Sequence, residues 1–162
     1  MQILKAGAAH LNIIVALNRA VQELHVEHEP RFFRPFDGAA VTEYFRRATN
    51  DSAVTVLLAV DGEKVLGYVL LRVQERAENA FSPPRRFVEL EHVAADPASR
   101  KRGVASALVD EVFSVAQSLG LGDLELSVWD FNNDARRLFQ KMGFTPCRHR
   151  LRARRPPESA AP

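Results

Sequence analysis

The sequence predicts one mixed α/β domain in which a mostly antiparallel sheet is flanked by helices. Three observations predict it. Apolar residues recur at spacings of three and four over residues 8–28 and again over 104–119, the period of helices that bury one face. Between these stretches lie three runs, residues 54–60, 65–73 and 87–95, rich in aliphatic and β-branched side chains. Asp61-Gly62 separates the first two runs by a hairpin turn, whereas helical stretches separate the later segments. Antiparallel pairing therefore comes first and a βαβ crossover later.

Each element has its own signal. Residues 2–5 suit a short opening strand. In the first helix Leu11, Ile14, Leu17, Val21 and Leu24 share a face. Pro30 and Pro35 end it, with Phe32, Phe33 and Phe36 between them, and a second helix runs from Gly38 or Ala39 to Ala48. Asn50-Asp51-Ser52 reads as a turn. The runs at 54–60 and 65–73 form a hairpin. Residues 75–86 are charged, contain Pro83-Pro84 and form a loop, and residues 87–95 make a long strand. A basic, glycine-containing turn leads into the helix at 104–119, which Gly120 and Gly122 stop. Residues 124–128 are predicted as a strand, 133–142 as a helix and 144–151 as a final strand. The order is β, α, α, β, β, β, α, β, α, β, with residues 1–151 as the domain and 152–162 as a disordered Arg/Pro/Ala tail.

Composition narrows the functional classes. The chain has 162 residues, 46% apolar and 26% charged, which suits one soluble core. No apolar run approaches the roughly 20 residues that span a bilayer, and the first residues carry no secretory-signal pattern. Cys147 is the only cysteine, so an internal disulfide or a cysteine-based metal site is excluded and a cytoplasmic location is expected. Residues 146–162 hold five arginines and one glutamate; in a chain of net charge +2, that leaves the rest slightly acidic. The basicity belongs to the tail rather than to a folded face, so nucleic acid is not the expected partner.

The segment Asp96-Pro97-Ala98-Ser99-Arg100-Lys101-Arg102-Gly103-Val104-Ala105-Ser106 is the most informative. A strand ends, three cations follow, and a helix opens on glycine and small residues. Free N–H groups at a helix start carry partial positive charge and suit a phosphate. Gly103 lets the backbone approach a ligand closely, and the cations suit a polyphosphate.

Here the sequence resembles the GNAT superfamily of N-acetyltransferases. Its acetyl-CoA signature is Arg or Gln, two residues, Gly, one residue, then Gly or Ala, and Arg100-Lys101-Arg102-Gly103-Val104-Ala105 fits it. A second pattern, Asn, two residues, Ala, two residues, Leu-Tyr and then Gly-Phe, is met by residues 132–144 at every position but one. Together the motifs cover roughly residues 87–146. The resemblance implies a GNAT-like fold, a central twisted sheet of six to seven strands with about four helices. It also implies acetyl-CoA as co-substrate and no metal. On that basis Lys101, Arg102, Gly103, Val104, Ala105 and Ser106 cradle the pyrophosphate with Arg100 beside them. Val93, Ala94 and Ala95 offer backbone groups to the pantetheine arm. Asn132 either hydrogen-bonds the pantetheine region or caps its helix.

Acetyl transfer to an amine needs positioning, removal of a proton and polarisation of the carbonyl. The resemblance implies the backbone N–H of Val93 for the last. Strand alternation places Glu89 and Glu91 on one face and His92 on the other, with Val88 and Leu90. Two adjacent carboxylates need a wet cleft or a cation. Glu91, then Glu89, is the candidate base or amine-binding group, with pairing to a neighbouring Arg or Lys as the alternative. Phe32 and Phe33 are candidates for the acceptor pocket, or else anchors of a loop on the core. Phe139 stands where many family members carry Tyr, and it has no proton to give the leaving thiolate. His25 and His28 read as a solvent-facing helix end, Trp129 as packing, and Cys147 has no activating base in view. The expected function is an N-acetyltransferase acting on a primary amine, with Glu89 and Glu91 favouring a cationic one; the alternative is a non-catalytic acetyl-CoA sensor. A homodimer is possible, since dimers are common in the family.

Overall fold

The computed structural model describes residues 1–153. In chain order they form β1 (Gln2–Lys5), a 3-10 turn (Ala8–His10), α1 (Leu11–His28), α2 (Gly38–Asn50), β2 (Val54–Asp61) and β3 (Lys64–Arg76). These are followed by β4 (Arg85–Ala95), a 3-10 turn (Pro97–Ser99), α3 (Val104–Ser118), β5 (Leu124–Leu126) and α4 (Asn133–Lys141). The sheet order is β1-β2-β3-β4-β5, antiparallel up to β4 and parallel between β4 and β5.

Strands that are apolar on both faces require cover on both. Ile14, Leu17, Phe45, Val56, Leu58, Tyr68 and Leu70 form the core under α1 and α2. Leu71, Val88, Leu90, Leu108, Val112 and Phe139 form the core under α3 and α4. Asp37 starts α2 by accepting the N–H groups of Ala39 and Ala40 at 2.9 and 3.1 Å, which satisfies two of the four donors a helix start leaves open. No helix among the described residues is long and apolar enough to cross a membrane.

The mixed α/β class and the helix count stand, but the sheet has five strands among the described residues rather than six to seven. Residues 144–151 form no strand. Only Phe144 packs on the core, residues 145–151 are exposed, and Pro146 has no N–H for a ladder. Without an apolar face the segment has nothing to hold it on the sheet. Of the tail expected at 152–162, only Arg152 and Ala153 are among the described residues.

Alternation along β4 is also broken. Leu90 pairs with Leu71 and His92 with Leu70, so Glu91 is an extra residue in a β-bulge. Past the bulge the faces are exchanged. His92 lies on the α1/α2 face with Glu89 and Glu91, against Tyr44, Phe45 and Tyr68, and not with Val88 and Leu90 as simple alternation requires.

Candidate active site

The turn between β4 and α3 is shaped by two residues in the left-handed region, Lys101 at φ 61° and Gly103 at φ 78°. For Lys101 this conformation costs about 1–2 kcal/mol. Left-handed residues in a turn point successive N–H groups into one concavity. Among the described residues, the N–H groups of Lys101, Gly103, Val104, Ala105 and Ser106 find no acceptor; the first helical bond is Ala107 N–H to the Gly103 carbonyl at 2.9 Å. Nothing lies within 4 Å of the position a Gly103 Cβ would take, so the concavity is open to a ligand. Arg102 pairs with Asp61 at 3.0 Å, while Arg100 and Lys101 form no ion pair among the described residues. Asp96 holds the start of the turn: it accepts the Ala98 N–H at 3.0 Å and meets Lys64 at 3.1 Å, and these contacts keep its carboxyl below the usual range.

The turn continues directly from a strand with an open edge. β4 pairs with β5 only over Val88, Glu89 and Leu90, so the two strands separate beyond them. Asp96 N–H bonds to the Leu66 carbonyl at 2.7 Å. Antiparallel alternation therefore turns the peptide groups of Ala94 toward β3 and those of Val93 and Ala95 toward the open edge. An extended ligand has peptide partners there at two of the three residues 93–95.

Gly67 makes this close approach possible. A Cβ there would lie 2.6 Å from the Ala94 carbonyl oxygen and 2.9 Å from Val104 Cγ1. The sequence gives no hint of this role, because the glycine lies in an apolar run without a turn.

On the α1/α2 face, Glu91 is engaged at both oxygens. Arg72 Nε donates to Oε1 at 2.7 Å and the Tyr44 hydroxyl to Oε2 at 3.3 Å. Arg72 also donates to Asp51 at 2.7 Å, and its guanidinium holds the Asp51 carboxyl below the usual range. Glu89 accepts from Gln74 at 2.7 Å. Two carboxylates, Glu91 and Asp51, thus share one guanidinium, which leaves an excess of negative charge suited to a cation. Burial, and then the Glu91 charge, push the Tyr44 phenol up to about 12.

His92 stacks on Tyr44, with ring centres 5.5 Å apart. Tyr68 accepts from Asn18 at 2.9 Å, and its hydroxyl lies 3.4 Å from His92 Nδ1. Burial lowers the His92 pKa, with the Glu91 charge acting in the opposite direction, and the side chain is neutral at pH 7. Neither Tyr44, Tyr68 nor Asn18 is legible as a site residue, since their partners lie 47, 24 and 50 residues away in sequence.

Phe32 and Phe33 lean on Trp129 with ring centres 5.5 and 5.3 Å apart. Phe33 and Phe131 flank His25, and His28 stacks on Phe131. This cluster joins the end of α1 to the loop after β5. Asn132 caps α4 by accepting the Ala135 N–H at 3.2 Å. Phe139 is buried in the α3/α4 core, edge-on to Phe144. No cluster of His, Cys, Asp and Glu able to hold a metal ion is found among the described residues.

With a strand-to-helix anion cradle, an adjoining open strand edge and an acidic cluster in place, the comparisons fit the geometry. The sequence profile of the Acetyltransferase (GNAT) family matches residues 20–144. The chain belongs to that GNAT family. Among solved structures, the tetramutant of the BH1408 protein from Bacillus halodurans superposes with a TM-score of 0.90 at 22% identity, over 95% of this chain and 99% of that one. The aminoglycoside N-acetyltransferase AAC(6')-Iy in complex with CoA gives 0.76 at 17%, over 95% and 93%. A predicted acetyltransferase with acetyl-CoA from Clostridium acetobutylicum gives 0.73 at 16%, over 94% and 95%. At these identities the likeness shows the GNAT fold alone. No curated protein is similar enough in sequence to be matched.

Proposed function

We propose that the chain is an acetyl-CoA-dependent N-acetyltransferase that moves acetyl to a primary, cationic amine by direct attack. The observation that carries this reading is the set of N–H groups at Lys101 and at Gly103, Val104, Ala105 and Ser106 that have no acceptor among the described residues, continuing from the open edge at Val93 and Ala95. The pyrophosphate of acetyl-CoA fits the first, with Arg100 and Lys101 adding charge, and the pantetheine arm fits the second.

The acceptor enters from the α1/α2 face, where Glu91, Glu89 and Asp51 attract its ammonium. Glu91 takes the proton, and Arg72 and Tyr44 hold its carboxylate in place. The freed amine attacks the thioester carbonyl, the Val93 N–H stabilises the oxyanion, and as that intermediate collapses the C–S bond breaks, the second nitrogen proton passes to solvent and the coenzyme A thiolate takes a proton from solvent. Phe32 and Phe33 wall the acceptor side. The second reading is a non-catalytic acetyl-CoA sensor. It is favoured by Phe139, which carries no hydroxyl and is packed in the core.

The test is thermal unfolding with acetyl-CoA, free coenzyme A and ATP. At 100 times its dissociation constant a ligand adds about 2.7 kcal/mol, which is roughly 5–10 °C in Tm at this size. A shift with both CoA species and little with ATP supports the cradle; no shift with either sinks it. Thiol release in an amine screen then separates the enzyme from the sensor.

A further inference from the structure

We infer that Glu29 and Phe32 form a cation subsite on the acceptor side, at the end of α1, and that Arg152 is its resident occupant. The inference rests on the acceptor reading above and extends it to a substrate class: an acceptor with a second cationic group beside the reacting amine. Arg152 Nη2 lies 3.1 and 3.2 Å from the two Glu29 oxygens, and its guanidinium carbon sits 4.6 Å over the Phe32 ring centre. A carboxylate and an aromatic face together recognise a guanidinium or an ammonium. The pair is built in by the backbone, because the N–H groups of Phe32 and Phe33 both return to the Glu29 carbonyl, at 2.9 and 3.1 Å. Glu29 caps the C-terminal end of α1, where the helix dipole also favours a cation. Phe32 remains half exposed with Arg152 in place.

The subsite is continuous with the aromatic cluster at the end of α1. Phe32 touches Trp129, Trp129 touches Phe33, and Phe33 touches His25. Arg152 reaches it from the far end of the chain, held only by an exposed ion pair and a ring contact, both weak interactions. It competes by proximity, at an effective concentration on the order of millimolar. A diamine or a guanidino-amine of higher local occupancy displaces it and gains the same two contacts.

Trp129 is the only tryptophan and its ring lies against Phe32, so its emission reports on the subsite without any turnover. The experiment titrates agmatine (1-amino-4-guanidinobutane) and, separately, n-butylamine into the full chain and into Arg152→Ala, Arg152→Ala/Glu29→Gln and Arg152→Ala/Phe32→Leu variants. The expected result is a saturable change with agmatine, about five-fold tighter in Arg152→Ala, and weakened about two- to five-fold by either added substitution. Butylamine gives no saturable change over the same range. Equal agmatine affinity in the full chain and in Arg152→Ala, or in Arg152→Ala with and without Glu29→Gln and Phe32→Leu, overturns the subsite, as does silence in every variant. The acetyl-CoA shift in Tm, measured on the same proteins, keeps the two readings apart. A shift with no agmatine response removes the subsite alone, and an agmatine response with no shift removes the acetyltransferase reading alone.

Discussion

Gly67→Ala tests the close approach of β3 to the cofactor edge. The added methyl would sit 2.6 Å from the Ala94 carbonyl oxygen, 2.9 Å from Val104 Cγ1 and 3.2 Å from Ala95 Cα. Two of these three atoms are backbone and cannot rotate away, so β3 and β4 must part by several tenths of an ångström. Overpacking of this kind costs about 1–3 kcal/mol. Against it, replacing Gly by Ala stiffens the unfolded chain and returns about 0.4–1 kcal/mol. The net loss of about 1–2 kcal/mol lowers Tm by roughly 2–8 °C. Because the displaced atoms belong to the open edge and to the first residue of α3, the stabilisation by acetyl-CoA shrinks as well. Gly7→Ala is the control: its φ of −133° suits alanine and its Cβ would meet nothing within 4 Å, so Tm holds or rises. Differential scanning fluorimetry with and without acetyl-CoA reads both effects. A Gly67→Ala protein that melts at or above the parent temperature, with an undiminished ligand shift, would falsify the steric account.

Four further outcomes are expected. Gly103→Glu places a carboxylate in the cradle and forces a non-glycine residue to φ 78°, so acetyl-CoA stops shifting Tm; retained tight binding removes the assignment. Glu91→Gln lowers kcat about 10²-fold or more; a small loss there beside a large one in Glu89→Gln reverses the order of the two glutamates. His92 is neutral when folded and charges more readily when unfolded, so the unfolded chain binds the extra proton. Stability is then complete above the unfolded value of about 6.5 and is lost as pH falls through the lowered folded value; His92→Gln flattens that window in pH-dependent unfolding, and an unchanged profile refutes it. Phe139→Tyr buries a hydroxyl in the α3/α4 core at a cost of about 1–3 kcal/mol, so Tm falls and turnover does not rise; a gain in turnover in the thiol-release assay contradicts this.

The sequence made the local features legible and hid the ones that depend on distant pairing. Residues 100–105 and 132–144 carry short patterns in contiguous chain, and the turn they predict is present with its glycine in the left-handed region. Helix and strand positions follow from periodicity because each element buries a face. Alternation along residues 87–95 could not reveal the bulge at Glu91, which exists only in the register of β4 against β3. That one extra residue moves His92 to the acidic face. The final strand failed for a related reason: residues 144–151 have a plausible length but no alternating apolar face to bury. Glu91 was legible as a strand carboxylate, yet its binding to Arg72 and Tyr44 needs two other elements to arrive. The role of Gly67 could not be seen at all, since it is defined by the space between two strands.

The shortness of β5 has a consequence for how the molecule breathes. Three residues tie everything after α3 to the sheet, with Phe139 and Phe144 as its main anchors in the core. β2, β3 and β4 share long ladders, so they define the globally protected unit, and β5 with α4 forms a weaker cooperative unit that opens first. Amide hydrogen exchange should therefore run faster across residues 124–141 than across 54–76. A ligand seated in the notch between β4 and β5 would bridge the two units and slow exchange in the second, far from any residue it touches.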